Sequence, residues 1–253
     1  MRTFKHIHSS GRYDRPVSSV KHAFNRYVEH ADLITMTEFA DAPHRKAAKE
    51  AAGQKWHLVY RPHNNAHNDC AFMYDKQRFE LIDAEVHKTT TDTYFQVGGH
   101  RTRPQYALYG VLRDKLNNKK FVVVVNHLPP SVERPLAKHG STRRVVAWLS
   151  GFHGSKSYAN KLRKKHKACA VLYIADYNLN FKKRWVRLFI KARSPMYSTT
   201  WKNLKFKGGT LGRRVIDSTL IRGKMKVKGS AKLFEDDNSS DHRPYIETLT
   251  YKK

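Results

Sequence analysis

The sequence predicts an α/β protein with antiparallel hairpins rather than a purely parallel sheet, and three stretches carry that reading. The chain opens as strand, turn, helix, strand over residues 3–37, the start of a layered α/β architecture. Val171-Leu172-Tyr173-Ile174 is an apolar run suited to a buried central strand, and it ends in Ala175-Asp176-Tyr177-Asn178. Strands at 70–74 and 79–86, and again at 106–112 and 121–126, are joined by short turns, which favours hairpins over a purely parallel wound sheet.

From the N-terminus, Thr3 to His8 is compatible with a first strand, turned at Ser9-Ser10-Gly11. Val20, Ala23, Phe24, Tyr27 and Val28 recur at helical spacing, so a helix is expected over 18–30 after Pro16. Leu33 to Thr37 reads as a strand with Glu38 just past its end, followed by a short surface helix around 44–52 and a strand from Trp56 to Tyr60. The polar loop 61–69 leads into Cys70–Tyr74, which is expected to pair with Phe79–Val86 across the turn at 75–78. A polar segment, 88–104, carries Arg101 and Arg103.

The strand from Phe121 to Val125 is the most β-prone run in the chain, and it ends in Asn126-His127-Leu128 before paired prolines stop it. Residues 141–149 have a helical pattern that Ser150-Gly151 is expected to end. The basic run 161–167 precedes the Asp176 strand, and Phe181, Trp185, Leu188 and Phe189 have the spacing of a helix packed on a sheet. Val215 to Ile221 is a strand with Asp217 inside it, and Tyr245 to Leu249 is the last strand. With neither an internal repeat nor a long linker, residues 1–253 are expected to form one domain.

Forty-nine Lys and Arg against 21 Asp and Glu give a formal charge of +28, while 40% hydrophobic residues are too many for a disordered basic tail. Such a surface attracts polyanions, and nucleic acid leads because neutralising many phosphates releases counterions. An anionic membrane surface or a ribosomal RNA scaffold would fit the charge alone. Cys70 and Cys169 make neither a disulfide framework nor a four-thiolate zinc site. No apolar signal segment follows Met1 and no run reaches transmembrane length, so an intracellular, cytoplasmic location is expected. The compact basic chain would suit a viral DNA-processing enzyme acting in a host cell.

The strand ends repeatedly carry hydrophilic groups: His6 or His8, Glu38, His127, Asp176 with Asn178, and Asp241 with His242. Asp176 and Asn178 are two apart, so both can leave the strand on one side, although Asp-x-Asn also turns a chain after a core strand. Glu38 can hold a hard divalent cation or stand in solvent. His127 and His242 can each contact a phosphate or move a proton. Asp217, inside an apolar strand, needs a partner because an unpaired buried acid is costly, and His242 is a sensible one.

In that order, the set resembles the endonuclease/exonuclease/phosphatase superfamily. Thr35-Met36-Thr37-Glu38-Phe39 looks like its strand ending in a metal-binding glutamate, Asn126-His127-Leu128 like its Thr-His-Leu motif, and Ala175-Asp176-Tyr177-Asn178 like its Gly-Asp-Phe-Asn motif. Ile216-Asp217-Ser218 and Ser240-Asp241-His242-Arg243-Pro244 resemble the strand aspartate and the C-terminal Ser-Asp-His motifs. The family usually has an Asn after its first strand, where this chain offers His6, with His8 following.

The resemblance implies a four-layer α/β sandwich of two mostly antiparallel sheets with helices outside, and metal-dependent hydrolysis of phosphate esters. It further implies Mg²⁺ or Mn²⁺ held by Glu38 with His6 and Asp241, and water positioned or deprotonated by Asp176. Asn178 and His127 would orient or stabilise phosphoryl oxygens, His242 oriented by Asp217 would contact the phosphate or act as acid/base, and Arg101, Arg103 and Tyr74 would orient the substrate backbone. The charge favours DNA and an endonuclease. A ribonuclease of the same fold, a catalytically silent DNA-binding protein and a phosphoinositide phosphatase are the alternatives.

Overall fold

A computed structural model describes residues 3–11, 16–61, 69–89, 105–138, 143–199, 208–234 and 240–252. Its strands are β1 (Thr3–Ser9), β2 (Leu33–Met36), β3 (Trp56–Val59), β4 (Ala71–Asp75), β5 (Phe79–Lys88), β6 (Tyr106–Asp114), β7 (Lys119–His127), β8 (Ala170–Asp176), β9 (Ser198–Thr199), β10 (Asp217–Gly223), β11 (Met225–Val227), β12 (Lys232–Leu233) and β13 (Tyr245–Tyr251). Five helices intervene: α1 (Val17–His30), α2 (Ala42–Ala52), α3 (Glu133–Ala137), α4 (Arg143–Lys165) and α5 (Arg184–Arg193).

One sheet runs β11-β13-β1-β2-β4-β3, with β12 also on β13, and the other runs β5-β6-β7-β8-β10-β9. Among the described residues, β1 with β2 and β7 with β8 are the parallel pairs, and the remaining pairs are antiparallel. This is the sandwich of two mostly antiparallel sheets that the sequence predicts.

Side-chain alternation builds the layers. Along β7, Phe121, Val123 and Val125 enter the core between the sheets, while Val122 and Val124 face the helix side with Trp148 and Phe152 of α4. Along β8, Leu172 and Ile174 point between the sheets, and Val171 and Tyr173 point towards α4. On the other sheet, Ile34, Met36, Ala71 and Met73 pack against Phe24 and Tyr27 of α1 and Ala48 of α2. The central strands are buried on both faces, which is why they read as continuous apolar runs rather than alternating ones. Each fully buried Val or Ile there contributes about 1.5–3 kcal/mol of hydrophobic stabilisation.

Three expectations are corrected. β4 and β5 do not form a hairpin: β4 lies between β2 and β3, and β5 crosses to the other sheet to pair with β6. Both edges of β4 are occupied, so a tight turn at its end cannot add a third partner. The helix expected over 141–149 does not stop at Ser150-Gly151 but runs on to Lys165. Gly154 serves that helix through close approach, since a Cβ there would lie 1.8 Å from the Thr89 carbonyl oxygen. Asp217 opens β10 rather than lying inside it. The basic run ends α4 with Arg163, Lys164 and Lys165 in its last turn, where cations are favoured by the helix dipole.

Between the sheets the core changes from apolar to hydrogen-bonded towards one end. His6 is fully buried, with Nδ1 3.1 Å from Glu247 Oε1 and Nε2 2.9 Å from Thr35 Oγ1. His8 Nδ1 meets the same Thr35 hydroxyl at 2.9 Å, and Thr219 Oγ1 donates to Glu247 Oε1 at 2.6 Å. These partners satisfy groups that would otherwise be costly to bury, and they lead to the sheet edge where the acids collect.

Candidate active site

Strand register assembles half of the site. In the parallel pair β7–β8, His127 stands opposite Asp176, and in the antiparallel pair β8–β10, Asp176 stands opposite Asp217. Three neighbouring strands therefore present an imidazole and two carboxylates side by side at one edge. Trp148 Nε1 donates to the Tyr177 carbonyl at 2.8 Å, and Asn178 Nδ2 donates to the Leu128 carbonyl at 2.8 Å, fixing the exit of β8 to the exit of β7. The Asn178 amide also donates to Asp176 Oδ1 at 2.7 Å.

The other sheet supplies the rest. Glu38 lies just beyond β2, held between Thr37, whose amide donates to the Ser9 carbonyl, and Phe39, whose amide donates to the Asp69 carbonyl. Its φ is +56°, and Asn178 has +53°. A left-handed glutamate costs on the order of 1 kcal/mol or more, and such strain concentrates at functional sites. Glu38 Oε1 is 3.4 Å from His127 Nε2, and Asp69 Oδ2 is 2.8 Å from His127 Nδ1. Just ahead of β13, His242 Nδ1 is 2.9 Å from Asp217 Oδ2. Asp176 is thus flanked by two acid–histidine pairs, Asp69–His127 and Asp217–His242.

The charges are strongly coupled. Burial, followed by the charge of Asp217, pushes Asp176 up to about 7 against the pull of His127 and His242. Burial also raises Glu38, opposed by His127. Burial would lower His127, but the charge and hydrogen bond of Asp69, then Asp176 and Glu38, raise it to about 10. Burial would likewise lower His242, but Asp217 raises it to about 9. Asp217 itself is held well below the usual carboxylate range: burial works against ionisation, and the charge and hydrogen bond of His242 outweigh it. His8 stays low because burial dominates.

The carboxylates of this cluster fit a hard divalent cation. Glu38, His127 and Asp176 offer ligand atoms that all lie within 4.8 Å of one another, and so do Asp176, Asp217 and His242. The two sets share Asp176, and carboxylate oxygen dominates both, as Mg²⁺ or Mn²⁺ requires. Asp217 Oδ1 is buried with no close hydrogen bond and faces His8 Nε2 at 3.6 Å. A cation among them favours the ionised acids, so binding would release the Asp176 proton.

Glu38, His127, Asp176, Asp217 and His242 are therefore brought together. Asn178 borders them, and Asp241 acts on Glu38 and His242 through its charge. Its Oδ1 would lie 2.1 Å from a Cβ on Gly11, whose φ of +96° turns β1 away beneath it.

Two candidates fall elsewhere. His6 does not take the metal position expected for it, because both ring nitrogens are engaged by Glu247 and Thr35 in the core. His8 is the β1 histidine that reaches the site, its Nε2 3.6 Å from Asp217 Oδ1. Tyr74 pairs with Leu33 at the start of β2 and packs with Phe72 between the sheets, whereas Glu38 lies past the other end of β2, roughly 15 Å away at the rise of a strand. It therefore cannot orient substrate at the Asp176 edge. Arg101 and Arg103 lie outside the described residues. Asp69 was not singled out in the sequence. Its one signal is an acid immediately before a buried strand, and nothing local reveals that β4 lies where His127 can reach it.

The fold and site define a two-sheet α/β sandwich with a cation-competent acid–histidine cluster at one sheet edge. The chain shares its fold with solved structures of endonuclease/exonuclease/phosphatase family proteins. A superfamily protein from Bacteroides thetaiotaomicron superimposes with a TM-score of 0.76 at 12% identity, covering 99% of this chain and 98% of that one. A mannosyl-6-phosphatase from the same organism gives 0.74 at 12% identity over 98% and 100%. D. rerio TDP2, complexed with a single-strand DNA product, gives 0.65 at 13% identity over 99% and 100%. No family model and no curated protein matches the sequence.

Proposed function

We propose that the chain is a divalent-metal-dependent phosphodiesterase that hydrolyses nucleic acid, with DNA favoured over RNA and internal cutting over end-dependent trimming. The observation that carries the reaction class is Asp176, buried at the junction of two candidate cation sets and flanked by two acid–histidine pairs. A bound Mg²⁺ or Mn²⁺ would polarise a phosphate oxygen and offset the charge that develops there.

The protein groups have separate tasks. Glu38 and Asp176 would hold the cation, with Asp241 adding negative potential beside it. The other Asp176 oxygen, or the same one in its ionised form, orients or deprotonates the attacking water. His127 and His242, each kept protonated by its acid partner, face the phosphoryl oxygens as donors, and preorganised donors of this kind stabilise developing negative charge. Either imidazolium can also supply the proton that the leaving oxygen needs.

The preference for a polymer rests on the formal charge of +28, which suits a polyanion better than a small sugar phosphate. No helix among the described residues is long and apolar enough to cross a membrane. TDP2, in its complex with a DNA product, shares the fold, but so does a mannosyl-6-phosphatase. The charge is what ranks the first kind of substrate above the second.

Supercoiled DNA with Mg²⁺ or Mn²⁺ tests the proposal, with EDTA as control and salt varied separately from metal. Nicked circles should form only with the cation. Asp176→Asn and His242→Ala should each slow nicking by at least about 100-fold. Wild-type rates in both variants would sink the assignment of roles. Faster cutting of RNA of equal length would reverse the substrate preference, and phosphate release from a phosphoinositide without polymer cutting would replace the nuclease reading.

A further inference from the structure

Asn178 also lines a cleft of about 710 Å³ whose cations the chemistry above does not use. Pro130, Pro135, Arg134, Lys183 and Arg214 line it together with Glu133 and Asn178. The walls come from three segments: those that follow β7 and β8, and the one that precedes β10. The same strands carry His127, Asp176 and Asp217, and cross-bonds hold these segments together. Asn178 Nδ2 donates to the Leu128 carbonyl, and the Val215 amide donates to Asn180 Oδ1 at 3.2 Å. Asn178, two residues past Asp176, both lines the cleft and borders the acid–histidine cluster.

One carboxylate stands among the three cations. Glu133 faces Lys183 Nζ through Oε1, and its Oε2 lies 3.3 Å from Arg214 Nη2 while accepting the Asn180 amide at 2.8 Å. The Glu133 side chain is 16% exposed, whereas Lys183 and Arg214 are 50% and 43% exposed. The acid is therefore the more buried member of the group, and Lys183 and Arg214 keep about half of their surface in solvent. Burial works against ionisation of Glu133, yet the Lys183 hydrogen bond, the Asn180 amide and the two positive charges hold its carboxyl below the usual range. The cleft keeps a net positive charge even with Glu133 ionised.

We propose that this cleft holds the nucleotide adjoining the scissile phosphate, its phosphate on Lys183, Arg214 and Arg134 and its sugar or base against Pro130 and Pro135, with Glu133 as the resident counter-ion it displaces. The inference rests on the reading of the Asp176 edge as a phosphodiester site. A lone phosphate would leave most of the volume and both proline rings unused. A purely apolar ligand would bury three charges without partners. A nucleotide has an anionic end and a flat, weakly polar body, and it matches both halves. Glu133 keeps Lys183 and Arg214 spread and oriented before substrate arrives, so its removal frees two cations rather than deleting a contact.

The sign of that last effect is the test. The full-length protein is titrated in EDTA against a fluorescein-labelled single-stranded DNA of ten nucleotides, by anisotropy over a salt series. Glu133→Gln, which retains an acceptor for the Asn180 amide, should tighten binding several-fold and steepen the dependence of log affinity on log salt by ~0.7, the value for one more phosphate on a single strand. Lys183→Ala, Arg214→Ala and the surface variant Arg134→Ala should each weaken binding several-fold and flatten the slope by a similar amount. Thermal melting of every variant separates misfolding from lost contacts, and Arg134, exposed on a short helix, reports even if the others fail to fold.

Unchanged affinity and slope in the cation variants, or weaker binding by Glu133→Gln, would overturn the proposal. Inorganic phosphate competing as well as a nucleoside monophosphate at equal concentration would overturn the nucleotide assignment. Metal-dependent nicking by the same proteins keeps the two readings apart. Wild-type nicking with no such affinity pattern rejects the cleft alone. The affinity pattern with no hydrolysis of any substrate rejects the hydrolase and leaves the cleft standing.

Discussion

Asp69→Asn separates the protonation of His127 from the holding of a cation. Asp69 belongs to neither candidate cation set, yet it is the first of the groups that raise His127 from 6.5 to about 10. That rise corresponds to ~5 kcal/mol of preference for the imidazolium, shared among Asp69, Asp176 and Glu38. A bound cation would neutralise much of the latter two, which leaves Asp69 as the main support of the His127 imidazolium in the loaded site. The amide in Asp69→Asn keeps an acceptor for Nδ1–H at the same 2.8 Å geometry but removes the charge. If the His127 imidazolium stabilises the phosphoryl oxygens, turnover at saturating Mg²⁺ should change little near pH 7 and fall by ~10-fold or more near pH 9.5, where the wild-type ring is still charged and the variant ring is not. The sign of the pH effect is fixed. A raised histidine value means the charged form persists to high pH in the wild type, so in the variant the alkaline limb of the rate profile should move to lower pH. Metal affinity, measured by the Mn²⁺ dependence of nicking, should change far less. A variant with the wild-type rate and an unmoved alkaline limb would refute the role given to the imidazolium.

Other perturbations report on other parts of the molecule. Lys156 is buried, donates to Ser194 Oγ at 2.8 Å, and is lowered from 10.5 to about 7 by burial and then by the charge of Arg193. Between those values the unfolded chain binds a proton that the folded one does not, so this lysine makes stability rise with pH from about 7 towards 10.5, with its penalty complete below 7. Lys156→Met should remove up to ~1.4 kcal/mol per pH unit from that slope in urea unfolding, and identical slopes would show that the lysine is not charged at a cost. Gly11→Ala places a Cβ 2.1 Å from Asp241 Oδ1 at a φ of +96°, and the strain of ~1–3 kcal/mol should be accompanied by more than tenfold slower nicking. Full activity would mean that Asp241 has no fixed place at the site. Glu247→Ala leaves His6 Nδ1 and the Thr219 hydroxyl without their buried acceptor and should cost ~2–4 kcal/mol in unfolding free energy. Glu247→Gln should cost less, and an alanine variant as stable as the wild type would show that the network does not support the core.

Much of the fold was readable because it is local. The apolar runs of β7 and β8 mark strands buried on both faces, and the spacing of Val20, Ala23, Phe24 and Tyr27 marks one face of α1. Glu38, His127 and Asp176 could be singled out for the same reason: each polar group follows a strongly apolar strand and so must lie where that strand leaves the core. The failures are equally physical. A short turn after β4 looks like a hairpin whichever sheet the next strand joins, and only the occupied edges of β4 send β5 across the sandwich. Ser150-Gly151 looks like a helix end, but Gly151 and Gly154 both face Thr89, and Gly154 lets α4 cross its carbonyl.

The sequence by itself determined the alternation that makes an α/β protein, the charge that draws a polyanion, and the identity of most acids and histidines at the strand ends. Those follow from the chemistry of residues and their nearest neighbours along the chain. Tertiary structure decided which of them meet. Register set His127, Asp176 and Asp217 side by side, and sheet packing brought Asp69 and Glu38 to His127. The parity of β1 turned both His6 and His8 inward, then left His6 bound in the core and His8 at the site. It also gathered Arg134, Lys183 and Arg214 around Glu133. Such juxtapositions join residues separated by tens to hundreds of positions, and no local pattern encodes them, because each depends on which strand edges and faces the rest of the chain has already filled.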